Sequence, residues 1–141
     1  MFTFTLNLVL LIGATNRPEC LDEAARRRLT KRLYVPLPCP DARKQILEKL
    51  ISDQRHTITN DHMVTLVEKT EGYSGADINS LCREAALAPL RNIGCLDNID
   101  NIDLLPPIEY SHFVAALKSV KPSVAESEVN RYIDFQNKFG C

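Results

Sequence analysis

The sequence predicts a short α/β tail, made of the last strands of a parallel sheet, followed by an all-helical bundle. Three observations carry that prediction. Residues 1–40 hold two short branched-apolar runs, Leu8-Val-Leu-Leu-Ile12 and Arg32-Leu-Tyr-Val-Pro-Leu-Pro38, ended by Gly13 and by prolines. From Asp41 onward the hydrophobic period changes from strand-like to helical. Two strands cannot cover both faces of a sheet, so the remaining strands of that sheet are expected elsewhere.

The helices follow in order. Ile46, Leu47, Leu50 and Ile51 form one apolar stripe; Met63, Val64 and Val67 form a second. Ile78, Leu81, Cys82 and Ala85 form a third at i, i+3, i+4 and i+7, and Ser74-Gly-Ala-Asp77 before it has the Ser-x-x-Asp form of a helix start. Pro89 is expected to kink that helix or end its regular part. Phe113, Ala116, Leu117 and Val120 repeat the helical spacing, and Val129, Tyr132, Ile133 and Phe139 close the chain. Between Gly94 and Pro107 the pattern is lost, and the small repeat Asn98-Ile-Asp-Asn-Ile-Asp103 reads as an acidic surface loop. About 40 residues thus belong to an α/β layer, and the rest forms a helical bundle.

Composition bounds the function. A chain of 141 residues with 45% hydrophobic and 25% charged residues has the make-up of a soluble globular protein. Its net charge of −1 gives no overall field to draw nucleic acid or an acidic membrane. Five cysteines, never spaced Cys-x-x-Cys, argue for reduced thiols in the cytosol or nucleus over a disulfide framework. His56, His62 and His112 fall in no metal-ligand spacing. The apolar opening resembles a signal peptide in length, but no Lys or Arg precedes Arg17, and the stretch is too short to span a membrane. A buried strand is the better reading.

The chemistry concentrates in Gly13-Ala-Thr-Asn-Arg-Pro18 and Leu21-Asp-Glu-Ala-Ala-Arg-Arg-Arg28. A buried strand that delivers one amide, Asn16, with the guanidiniums of Arg26, Arg27 and Arg28 close behind, suits the handling of a phosphate. Blander readings stand beside it. Asn16 could cap a turn or the next helix, and the arginines could be a solvated helix end or a basic patch. No Gly-x-x-x-x-Gly-Lys-Ser/Thr occurs in the chain, so the loop that cradles phosphates is missing from it.

These two motifs, together with Lys31-Arg-Leu-Tyr-Val-x-Leu-Pro38 and Gly72-Tyr-Ser-Gly-Ala-Asp77, resemble an AAA ATPase. More narrowly they resemble the microtubule-severing clade of fidgetin, spastin and katanin. Lys121-Pro-Ser-Val124 and the closing Gln136-Asn-Lys-Phe-Gly140 point to its fidgetin-like branch. The likeness runs from Leu8 to Cys141, and residues 1–7 match nothing in it.

The resemblance implies the tail of a P-loop NTPase sheet at residues 1–40, a helical lid at 41–120 and a C-terminal oligomerisation helix at 121–141. It implies that Asn16 is sensor 1, orienting the attacking water and contacting the γ-phosphate. Arg27 and Arg28 correspond to paired arginine fingers offered to a neighbouring subunit, with Arg26 turned toward its own; the principal finger among the three stays open. Gly75 and Ala76 correspond to the start of the sensor 2 helix, where small residues let adenine approach, and Ile46 and Leu50 to apolar lid residues that pack on the base. The sensor 2 position carries Ala76 and no Arg, as in this family generally, so no arginine in cis is expected from that helix.

The family's phosphate loop, Walker B acids and pore loops lie upstream of position 1. The chain therefore reads as the C-terminal fragment of a homo-hexameric remodeller that uses ATP and Mg²⁺, holding neither alone. Microtubules or nuclear protein filaments are the implied substrates, without direct nucleic-acid or membrane binding. The alternative is a non-catalytic interaction module that binds and modulates AAA subunits.

Overall fold

A computed structural model describes residues 10–91 and 106–140. The chain divides into two compact units, Val35–Val129 on one side and Met1–Tyr34 with Asn130–Cys141 on the other.

In the first unit, four helices pack around an apolar core. They are α2 (Pro40–Ile51), α3 (Asn60–Lys69), α4 (Gly75–Arg91) and α5 (Tyr110–Ser119); α1 and α6 belong wholly or mainly to the other unit. Pro40 sits at the start of α2, where its fixed φ suits the first turn and its missing N–H has no intrahelical partner to lose. Thr59 caps α3 by accepting from His62 N–H at 3.3 Å. Gly72, at φ +77°, makes the turn between α3 and α4, a conformation that a side chain would strain. Helix α4 packs against α2 and α5, and α3 against both as well. Leu47, Leu66, Ile78, Leu81 and Phe113 are fully buried in that core, with Ile51, Met63, Tyr73, Ile108 and Ala116 beside them. A parallel bridge of His56 with Ile108 ties the α2–α3 connection to the entry of α5 through Thr57 N–H on Ile108 O at 3.0 Å and Ile108 N–H on Arg55 O at 2.8 Å.

The second unit is differently built. A single 3-10 turn, Pro18–Cys20, precedes the short helix α1 (Glu23–Arg28), and α6 (Glu126–Phe139) contributes its residues from Asn130 onward. Asp22 caps α1, its carboxylate accepting from Ala25 N–H at 2.6 Å. Neither helix nor the 3-10 turn carries a buried residue.

The expected α/β tail is corrected at this point. No strand occurs among the described residues; Leu10, Leu11 and Ile12 are 77–82% exposed, and Leu33 and Val35 are 83% and 85% exposed. A strand takes its backbone hydrogen bonds from a neighbour, and the described residues supply none, so branched-apolar composition alone leaves these runs irregular. Leu8 and Val9 lie outside the described residues, as do Asn98 to Asp103, expected as an acidic loop. Pro89 does not end its helix: it is buried inside α4, which runs on to Arg91. Val64 was expected on the core stripe of α3 but is 55% exposed, because the buried face is built by Met63 and Leu66.

Candidate functional site

Asn16 lies exposed in the turn before Pro18. Its carbonyl accepts a hydrogen bond from Tyr132 Oη of α6 at 2.9 Å, and one residue earlier Thr15 Oγ1 accepts from Arg17 N–H at 3.0 Å. Capping of the adjacent elements belongs to other residues. Arg17 occupies the N-cap position of the 3-10 turn without a side-chain bond, and Asp22 caps α1.

Arg26, Arg27 and Arg28 form the last turn of α1. Arg27 and Arg28 are exposed and, with Glu23 and Ala24, line a shallow open hollow, while Arg26 is half-buried with its guanidinium 5.5 Å from the centre of the Phe139 ring. Arg27 is paired with Glu23 one turn earlier, both well exposed. Arg32 closes the end of the helix: its Nη1 donates to Arg26 O at 2.9 Å and its Nε to Phe139 O at 2.7 Å. Cations at two helix C-termini meet carbonyls that have no intrahelical donor.

In the unit Val35–Val129, Gly75 and Ala76 open α4 and are exposed; a Cβ added at Gly75 would meet nothing within 4 Å. Ile46 and Leu50 of α2 are half-buried against the core. Leu50 also edges a small hollow with Asn79, Cys82, Arg83 and Ala86 of α4.

Directly after Ala76, Asp77 is buried and acts as the organiser of the helix start. Its carboxylate accepts from Ser74 N–H at 2.9 Å, Ser74 Oγ at 2.8 Å and Ser123 N–H at 3.2 Å, while Ser74 Oγ accepts from Asp77 N–H at 3.2 Å. Burial pushes the Asp77 carboxyl up, but the bonds from Ser74 and Ser123 outweigh it and hold the group below its ordinary value. Tyr73 donates to Val120 O at 2.6 Å, and its phenol is pushed up by burial and then by the Asp77 charge. The connection after α5 is thus fastened to the start of α4 at two points.

Sequence reasoning located the Ser74–Asp77 cap but missed three residues. Tyr132 meets Asn16 across 116 positions, a distance at which no local pattern gives a signal. Arg32 reads from the sequence as part of a strand or of a basic patch, with no sign of its bonds to the ends of α1 and α6. Arg43 of α2, buried, donates to Pro38 O and Val67 O at 3.0 Å each, and its Nε is buried without a partner; only its place on the inner face of α2 could have revealed it. The thiol of Cys82, by contrast, is buried, and burial pushes it up to about 12. No group of three or more His, Cys, Asp or Glu among the described residues gathers as metal ligands. No helix among them is long and apolar enough to cross a membrane.

Comparison with known proteins matches the family model described as AAA+ lid domain over residues 60–104, and that described as Vps4 C terminal oligomerisation domain over residues 96–140. Fidgetin-like protein 1 of Caenorhabditis elegans is 47% identical over 135 residues, which is 94% of this chain and 22% of that protein. The ATPase-like fidgetin of Schizosaccharomyces pombe is 44% identical over 132 residues, again 94% of this chain and 20% of its relative. The chain therefore spans about a fifth of the length of these curated relatives. The crystal structure of the FIGL-1 AAA domain in complex with ADP superposes with a TM-score of 0.85 at 46% identity, covering 92% of this chain and 44% of that one. The chain belongs to the fidgetin-like branch of the AAA ATPases, and it corresponds to the lid and C-terminal part of their AAA module.

Proposed function

We propose that this chain supplies the nucleotide-sensing turn, the arginine fingers, the lid and the assembly helix of a ring-forming ATPase, and that it turns over ATP only beside a phosphate-binding half. The observation that carries this reading is the pairing, in one unit, of the Asn16 turn with a capped helix whose last turn projects Arg27 and Arg28 into solvent. Guanidiniums on a capped helix and left free of core packing are suited to a phosphate on another molecule.

ATP is the substrate of this reading. Residues 1–40 bring Asn16 as the group that orients the attacking water, and Arg27 and Arg28 as groups that stabilise charge on a neighbouring subunit's phosphoryl group. Residues 41–120 form the lid. The open space at Gly75, beside exposed Ala76, fits the close approach of a flat base, and Ile46 and Leu50 offer apolar surface for it. The described residues gather no ligand set for Mg²⁺, so no step here runs through it. Residues 121–141 serve assembly of a homo-hexamer, a reading supported by the oligomerisation-domain match. The implied work of the ring is remodelling of protein polymers, microtubules or nuclear filaments.

The test uses the chain alone and as a chimera that replaces the matching part of the FIGL-1 AAA domain. Phosphate release should be absent from the chain alone and present in the chimera, where Asn16→Ala lowers it by about 10²-fold, the range of a lost transition-state donor. Turnover by the isolated chain that Asn16→Ala abolishes would overturn the proposal. So would an assembled chimera indifferent to Asn16. If the chain instead binds intact FIGL-1 rings and changes their turnover, while its chimera is inactive, it is an interaction module.

A further inference from the structure

The C-terminal part of α6 touches both pieces of the proposed catalytic apparatus. Tyr132, Phe135 and Phe139 share one face of the helix, at i, i+3 and i+7. At one end of that face Tyr132 Oη holds the Asn16 carbonyl at 2.9 Å. At the other, the Phe139 ring packs on Phe135 at 5.0 Å and on the Arg26 guanidinium at 5.5 Å, while the Phe139 carbonyl takes Arg32 Nε at 2.7 Å. Arg32 then reaches Arg26 O at 2.9 Å and Leu29 O at 3.4 Å, joining the ends of α1 and α6 through one planar group. Beside the face, Arg131 stands 3.9 Å from Glu19 in the 3-10 turn between Asn16 and α1.

These contacts are of a kind that positions more than it stabilises. Helix α6 has no fully buried residue, and Tyr132, Phe135 and Phe139 are half-buried, so their polar and ring contacts carry more of their fit than a core would. Two of the contacts are hydrogen bonds through a backbone carbonyl, Tyr132 Oη on Asn16 O and Arg32 Nε on Phe139 O, and a third sets the Phe139 ring beside the Arg26 guanidinium of α1. We propose that α6 is a strut that fixes the Asn16 turn relative to the arginine helix, with Tyr132 and Arg32 as its positioning residues. Undocking of α6 would release both at once, so the helix that serves assembly would also report assembly to the chemistry. The inference rests on the reading of Asn16 and of Arg27 and Arg28 given above.

The variant Tyr132→Phe tests it in the FIGL-1 chimera, because it removes one oxygen and keeps the ring. At protein concentrations where sedimentation shows complete assembly, kcat should fall about 3–10-fold, the effect of one lost hydrogen bond, while KM for ATP stays within twofold. Arg32→Lys, which keeps the charge and loses the planar fork, should do the same. Combining Tyr132→Phe with Asn16→Ala should lower kcat no further than Asn16→Ala alone, because residues acting through one group are not additive. The proposal is overturned if Tyr132→Phe leaves kcat unchanged while Asn16→Ala lowers it, or if the two losses multiply. It is also overturned if added protein restores kcat, which would make α6 an assembly element alone. An unchanged kcat in Asn16→Ala defeats the underlying reading of Asn16 itself, a result distinct from these.

Discussion

The two units of the chain are held together by different physics. Among its described residues, Val35–Val129 buries a hydrophobic cluster of twelve side chains, several with no exposure at all. The unit that joins the N-terminal residues to the end of α6 has no buried residue in its helices and is held by side chain to backbone bonds, a long ion pair and rings beside guanidiniums. Yet the candidate sensing and finger residues all lie in the second. Regions with little apolar burial open at low free energy, and functional segments are drawn from them. The helical unit is held by its own apolar core, and the other unit carries the candidate positions with little apolar burial.

Mutations should separate the two units by magnitude. Phe113→Ala empties the centre of the helical core and should cost about 3–5 kcal/mol. Chemical denaturation would read it, and labelling of Cys82, whose thiol is buried, should accelerate with core opening. A loss near zero would remove the contrast between the units.

Asp77→Ala should cost less, about 1–3 kcal/mol, by stranding the N–H groups of Ser74 and Ser123. Its pH signature follows from the direction of its shift. The folded carboxyl lies below its unfolded value, so its contribution is present above the ordinary aspartate range near about 3.9 and is lost as pH falls through the folded value. Asp77→Asn should flatten that acid limb of a melting-temperature profile and leave the neutral region lower throughout. An acid limb unchanged in Asp77→Asn would show that other carboxylates make it.

Phe139→Ala should remove a half-buried ring and its contact with the Arg26 guanidinium, the latter worth about 0.5–1 kcal/mol, without moving the main melting transition of the helical core. Hydrogen exchange should register it as faster exchange in α1 and α6 and no change in α4. Smallest of all, Glu23→Gln should shift stability by less than about 0.5 kcal/mol, because its ion pair with Arg27 is exposed on both sides.

The helical unit was legible from the chain because its information is periodic. The stripes on α2, α4 and α5 mark the faces that are buried, and Ser74 and Asp77 mark the start of α4 within four residues. Val64 misled because two adjacent apolar residues in α3 fit neighbouring phases of the same period, and packing chose Met63 and Leu66. The strand expectation failed for a different reason. Composition reports the tendency of Leu10 to Ile12 or Leu33 to Val35 to be extended, but pairing needs a neighbour whose sequence is not among the described residues. The candidate site was legible only through its motifs. What orders those motifs, Tyr132 on Asn16 and Arg32 on Phe139, spans 116 and 107 positions and leaves no trace in either segment alone.

The central claim, that Arg27 and Arg28 complete a neighbour's site, is tested most directly by mixing subunits. In FIGL-1 chimeras carrying this chain, Arg28→Ala subunits should bind ATP normally and lose turnover by about 10²-fold or more, the scale of a missing arginine finger. Arg26→Ala should be milder, since its guanidinium lies over Phe139 in its own chain. Mixed with subunits lacking the phosphate-loop lysine, Arg28→Ala subunits should form rings that recover part of the turnover, at interfaces where an intact finger meets an intact loop. Mixed rings that assemble and recover nothing, or Arg28→Ala subunits that cannot bind ATP, would contradict the account and make these arginines structural.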